Sequence, residues 1–127
     1  MPSNYFQLLG AYGAIPSVRE PSGDPGLSTL IDERMQLARK HYDELALTAD
    51  AFQAVSLGGL SGVNVLVLKV VGEKVVVRLT SADGTQQTFP VEEFLALTSI
   101  STPLTAIDVQ RVAGVTTTVK VFLGEKL

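Results

Sequence analysis

The chain has no cysteine and no tryptophan, a single histidine, and few charges for its 127 residues. Without cysteine, disulfides and thiolate metal sites are excluded. Acids and bases are interspersed and the net charge is −3, so the basic excess that accompanies nucleic-acid binding is missing. Charged residues make up 18% of the chain, below the usual level near ~25%. Apolar residues make up 46%, and the mean hydropathy is +0.28. A small globule has much surface to cover, so a shortage of charge points to a surface that faces protein rather than water. A plain β-domain rich in Val and Thr has the same composition.

The length suits one domain. The start, Met1-Pro2-Ser3-Asn4-Tyr5-Phe6-Gln7, lacks a basic stretch followed by an apolar run, so no targeting segment is expected there. The uncharged stretch from Ala51 to Leu68 is broken by Gly58-Gly59-Leu60-Ser61-Gly62. It falls short of the roughly 20 apolar residues a spanning helix needs and reads as two strands around a Gly-rich turn. No membrane partner is expected.

Residues 1–28 hold four of the six prolines, Pro2, Pro16, Pro21 and Pro25. That density blocks regular helix and central strand. Yet Tyr5, Phe6, Leu8, Leu9, Tyr12 and Ile15 are strongly apolar, unlike a disordered tail. The segment reads as an extended arm that packs either on its own domain or on a neighbouring subunit. Residues 29–43 are ambiguous. Ile31, Met35, Ala38, Tyr42 and Leu45 recur at helical spacing behind a possible Ser28 cap. Glu44 to Thr48 alternates in a strand-like way.

From Phe52 onward the pattern is β. Gly72-Glu73 suits a two-residue hairpin turn, which would set Val70 opposite Val75, Leu68 opposite Val77 and Leu66 opposite Leu79. One side of that hairpin would be wholly apolar, and the other would carry Lys69, Lys74 and Arg78. Asp83-Gly84 marks the next turn, and a bulge at Gly84 would turn Phe89 and Val91 inward. Phe94 to Ser99 reads as a strand with Phe94, Ala96 and Thr98 on one side and Leu95 and Leu97 on the other. Val112-Ala113-Gly114 reads as a bulged hairpin loop pairing Val109 with Thr117, Ile107 with Val119, and Thr105 with Val121. Phe122, Lys120, Thr118 and Thr116 would then point outward, with Phe122 marking a covered surface. Seven or eight short strands with turns every 8–12 residues predict an all-β, antiparallel sandwich or jelly-roll-like domain over residues 29–127.

Motifs for chemistry are sparse. His41 has Asp43 two residues away, but a nucleophile with a base held in reach is not evident. The Gly58–Gly62 stretch lacks the Lys-Ser or Lys-Thr of a phosphate loop and the Gly-x-Ser-x-Gly order of a nucleophile elbow. The adjacent acids Asp32-Glu33, Asp43-Glu44 and Glu92-Glu93 would point to opposite faces of strands and make poor catalytic pairs. Asp83-Gly84-Thr85 reads as a turn rather than a calcium loop. The expectation is therefore no enzyme, no cofactor and no metal.

The C-terminal segments Pro103-Leu104-Thr105-Ala106-Ile107-Asp108 and Gly114-Val115-Thr116-Thr117-Thr118-Val119-Lys120-Val121-Phe122-Leu123 stand behind Val75-Val76-Val77-Arg78-Leu79-Thr80 and Phe89-Pro90-Val91. Over residues 44–127 this resembles the small β-sandwich structural proteins of tailed bacteriophages, which decorate or cement capsids or attach at the tail and neck. The resemblance implies a virion protein, of capsid cement or decoration type. Its partners would be other copies of itself and the major capsid protein or other virion proteins. The expected interface residues are Tyr5, Phe6, Leu8, Leu9, Tyr12, Ile15 and Phe122. A receptor- or carbohydrate-binding module is the alternative, weakened by the absence of tryptophan and an aromatic content of 6%. A small enzyme is the remaining one.

Overall fold

Successive side chains of a strand point to opposite faces, and the apolar faces of two sheets turned toward each other make the core of this protein. The computed structural model describes residues 4–13, 28–98 and 100–127. These residues form nine strands and no helix. In chain order they are β1 (Asn4–Gly13), β2 (Ser28–Leu47), β3 (Gln53–Ala54), β4 (Val65–Val71), β5 (Val75–Ser81), β6 (Gln86–Val91), β7 (Phe94–Leu97), β8 (Leu104–Arg111) and β9 (Thr117–Lys126). The larger sheet has the order β1-β2-β9-β4-β7 and the smaller has β3-β8-β5-β6. Every pairing is antiparallel.

The core lies between the sheets. Leu66, Leu68 and Val70 of β4 and Val119, Val121 and Leu123 of β9 face Val75, Val77 and Leu79 of β5 and Ile107 and Val109 of β8, all of them buried. These are the residues that alternation marks as inward. Their pairing differs from expectation. Val71 is followed by Gly72 at φ +121°, and the chain crosses from one sheet to the other instead of folding into a hairpin. Leu68 is thus hydrogen-bonded in register with Val121, not with Val77. The Val112–Gly114 loop also crosses between sheets, so Ile107 lies opposite Leu79 and Val119 opposite Val70. Thr105, expected inside, is exposed and Leu104 is buried, because a register shift between Thr80 and Ser81 changes the parity at that end of β8. Lys69 and Arg78 consequently lie on opposite outer faces, and Lys74 sits in the crossing turn.

The β5–β6 connection is a true hairpin. Ser81 N donates to Thr85 O at 2.9 Å around Ala82-Asp83-Gly84, with Gly84 left-handed at φ +88°. A three-residue loop with a left-handed glycine shifts the parity as a bulge does. Val91 then lies buried opposite Val75, and Phe89, opposite Val77, packs on the core. In β7, Leu95 and Leu97 pack on the core and Phe94 is exposed, as the alternation predicts, while Ser99 lies outside the described residues.

The ambiguous stretch after residue 28 is strand throughout. β2 runs twenty residues, because β9 pairs with its second half and β1 with its first half. Main-chain pairing along both halves overrides the helical spacing of Ile31, Met35 and Ala38. Residues 4–13 of the arm are therefore the outermost strand of the larger sheet, and pack on their own chain through the register Asn4↔Leu37 to Gly13↔Ser28. Ile15 and the prolines at 2, 16, 21 and 25 lie outside the described residues.

Candidate interaction face

The two outer faces of the sandwich differ in chemistry. On the smaller sheet, Arg78 lies directly opposite Asp108 and pairs with it at 3.3 Å, while its guanidinium covers the Phe52 ring at 4.2 Å. Charge and ring are both satisfied, and the flanking positions Thr80, Gln86, Thr88 and Gln110 suit water.

The outer face of the larger sheet exposes aromatic rings beside a row of charged residues. Alternation along β4 and β9 puts Val67 opposite Phe122, and β2 brings Tyr42 to the other side of Phe122. The Tyr42 and Phe122 rings meet edge to face at 4.9 Å, and Phe6 of β1 stacks on Phe122 at 5.3 Å. One row along, β7 sets Phe94 opposite Lys69, which is opposite Lys120, which is opposite Glu44. Tyr42 is 68% exposed and Phe94 56%, although both are large and apolar. Together these side chains border a groove of about 710 Å³. Clustered exposed aromatics of this kind mark interaction surfaces, whereas single exposed apolar residues are commonplace.

One end of this face is closed. A bulge between Leu37 and Arg39 reverses the parity of β2, so that Leu37 drops over Gly124 and Val65. Its methyls lie 3.0 Å from where a Gly124 Cβ would stand, and Leu37 and Val65 are buried. The open part begins beyond that lid, at the aromatic cluster.

Of the expected interface residues, Phe122 lies at the centre of the face and Phe6 stacks on it. The side chains of Tyr5, Leu8, Leu9 and Tyr12 and the whole of Ile15 lie outside the described residues. Sequence reading missed Tyr42 and the exposed Phe94 as members of the site. The available signal was parity: Phe94 stood with Ala96 and Thr98 on the side of its strand away from Leu95 and Leu97, and Tyr42 would fall beside Phe122 once residues 41–47 were read as strand.

A second cluster sits at the sheet edge around His41. The Arg39 guanidinium pairs with Glu125 at 3.4 Å and donates to Gly59 O at 3.2 Å, and the Ser61 hydroxyl also bonds the Glu125 carboxylate. Gly58, left-handed at φ +62°, lies flat against the His41 ring. The His41 Nε2 is buried there without a hydrogen-bond partner among the described residues. This packing locks the Gly-rich loop over β2 and gives Gly58 a structural reason to lack a side chain, whereas Gly59 has open space around it and is suited to glycine by its φ of +84° alone.

Two acids are held in their charged form. Hydrogen bonds from Gly114 N and then Arg111 Nε, both at 3.0 Å, pull the Asp50 carboxyl below its ordinary range. The Thr85 amide does the same for Asp83 in the hairpin loop. Both are turn fasteners on the exposed surface. Among the described residues no cluster of three or more His, Asp or Glu side chains is placed to hold a metal ion. Compared with known proteins, the chain matches no family model, no curated protein and no solved structure.

Proposed function

We propose that this chain is a virion structural protein of a tailed bacteriophage, of the capsid cement or decoration kind, working by adhesion through the outer face of its larger sheet. The observation that carries the reading is the open aromatic cluster of Tyr42, Phe94 and Phe122 on that face. The resemblance of residues 44–127 to phage β-sandwich proteins supplies the setting. The scarcity of charge supports a surface that is covered when the protein works. Its partners are further copies of the chain and the capsid protein. Burying a few such rings at roughly 25 cal/mol per Å² contributes several kcal/mol per copy before ordering costs, and a shell repeats that gain many times. The test is co-sedimentation with empty shells of the phage that carries the gene. The wild-type chain is expected in the pellet, and a Tyr42→Ser, Phe94→Ser variant in the supernatant. Wild-type chain that stays in the supernatant contradicts the reading.

A second reading, a glycan-binding module, draws on the same groove, whose volume of about 710 Å³ suits a small ligand. Binding on a glycan array, abolished by Tyr42→Ala, would favour it over the first.

A further inference from the structure

An open sheet has two edge strands, and an edge strand is a template on which another strand can pair. Proteins blunt such edges with short strands, charged side chains, prolines and bulges. Among the described residues, three of the four edges of this sandwich are blunted. β3 is two residues long, β7 is four, and β6 carries Pro90, which has no N–H to donate. The fourth edge, β1, has none of these devices. It runs ten residues, Asn4–Gly13, without a charge or a proline, and no bulge interrupts its register against β2.

The sheet is also narrow where β1 lies. β2 pairs with β1 over residues 28–37 and with β9 over residues 37–47, so its two partners meet only at Leu37. Along residues 28–36 the sheet is a two-stranded ribbon among the described residues. The Leu127 amide, donating to Gln36 O at 3.2 Å, and the Phe6 ring on Phe122 tie one end of that ribbon to the sandwich. A two-stranded ribbon is marginal in water, and further strands make it a stable sheet.

We infer that a second copy of this chain pairs along this edge, β1 against β1 and antiparallel across a two-fold axis, joining the two ribbons into one four-stranded sheet in the order β2-β1-β1-β2. The composition of β1 names the occupant. In a two-fold pair each residue of the strand faces a residue of the same strand. A strand with charges therefore sets some of them against like charges, which destabilises a sheet. β1 has no charge, so pairing with itself meets no such penalty. The first half of β2, by contrast, carries Asp32, Glu33 and Arg34. Ten paired residues supply about ten hydrogen bonds between the copies. Pairing over the whole of β1 sets the axis between Leu8 and Leu9, so that Leu8 of each copy lies in register with Leu9 of the other.

The inference goes beyond the adhesive reading, because it concerns a sheet edge and leaves the aromatic face uncovered. Its test uses the absence of cysteine. Five single variants of the full chain, Tyr5→Cys, Leu8→Cys, Leu9→Cys, Tyr12→Cys and Phe94→Cys, are oxidised mildly at several hundred micromolar and read as disulfide-linked dimer. Like residues meet only near the axis, and the pairs at 5 and at 12 would stand roughly 20 Å or more apart, far beyond disulfide reach. Positions 8 and 9 are expected to cross-link at least about tenfold faster than 5, 12 and the aromatic-face control at 94. Sedimentation velocity of wild type should show a monomer–dimer equilibrium that changes little with salt, since no charges pair. A Leu8→Lys, Leu9→Lys variant, checked for folding by circular dichroism melts, sets lysines against lysines at the axis and is expected to lose roughly tenfold or more in dimer affinity. Equal cross-linking at all five positions, fastest cross-linking at 94, a monomeric wild type at every concentration, or a folded lysine variant as dimeric as wild type each overturns the inference. A monomer that still pellets with shells removes the dimer alone. A dimer that ignores shells removes the virion reading alone.

Discussion

Two residues at the loop over β2 show how closely the fold depends on individual side chains. A Cβ at Gly58 would collide with the His41 ring, and the φ of +62° disfavours any other residue there. Gly58→Ala is expected to cost about 1–2 kcal/mol for the left-handed backbone and a further 1–3 kcal/mol for crowding. In a His41→Ala background the crowding part should vanish, so urea unfolding of the four proteins in a double-mutant cycle should show positive coupling. Equal losses in both backgrounds would mean that the ring does not confine the loop. Asp50 acts differently, by charge. Its folded-state acidity is raised by the Gly114 amide and then by Arg111. Its stabilisation is therefore complete above the unfolded carboxyl value and disappears as the pH falls through the lower folded one, from about pH 4 downward. Asp50→Ala should lower the melting temperature at neutral pH, and the gap from wild type should close in acid. A gap that stays the same as the pH falls would assign the loss to packing.

At the scale of the elements, alternation told which way side chains point but not which strands pair. Leu66, Leu68, Val70, Val75, Val77 and Leu79 were legible as one dry set, and all are buried. Gly72 permits a hairpin and a crossing turn alike, so local turn chemistry could not decide between them. Register with β9 and β8, far away in sequence, decided it. The same limit applies to β2, whose helical spacing gives way to strand because both halves find partners. The site suffered in turn: Phe122 was legible as outward-facing, but Tyr42 and Phe94 join it only through pairings remote in sequence. The absence of cysteine makes the pairing easy to test. Cysteines at 69 and 120, directly opposed on β4 and β9, are expected to cross-link on mild oxidation. Cysteines at 69 and 76, opposed only if β4 and β5 formed a hairpin, are expected to stay reduced within one chain. The reverse result would require β4 and β5 to share a sheet.

At the scale of the whole molecule, one sandwich presents two unlike surfaces. The smaller sheet covers its ring with a guanidinium and pairs its charges, as a face made for water does. The larger sheet leaves the rings of Tyr42 and Phe94 exposed, sets Lys69 and Lys120 beside them without an ion pair among the described residues, and is closed at the end under Leu37. The difference between the faces underlies the account of the protein as an adhesive module, with β1 extending the sheet and contributing Phe6 to the cluster. The most direct measurement is hydroxyl-radical footprinting of the chain alone at high dilution and in its assembled form, read residue by residue by mass spectrometry. Phe52 and Phe89, on the smaller sheet's side, serve as internal references. Tyr42 and Phe94 are expected to react readily in the dilute chain and to become strongly protected on assembly, with the references unchanged. Equal reactivity of Tyr42 and Phe94 in both states would contradict the claim that this face is the one the protein uses.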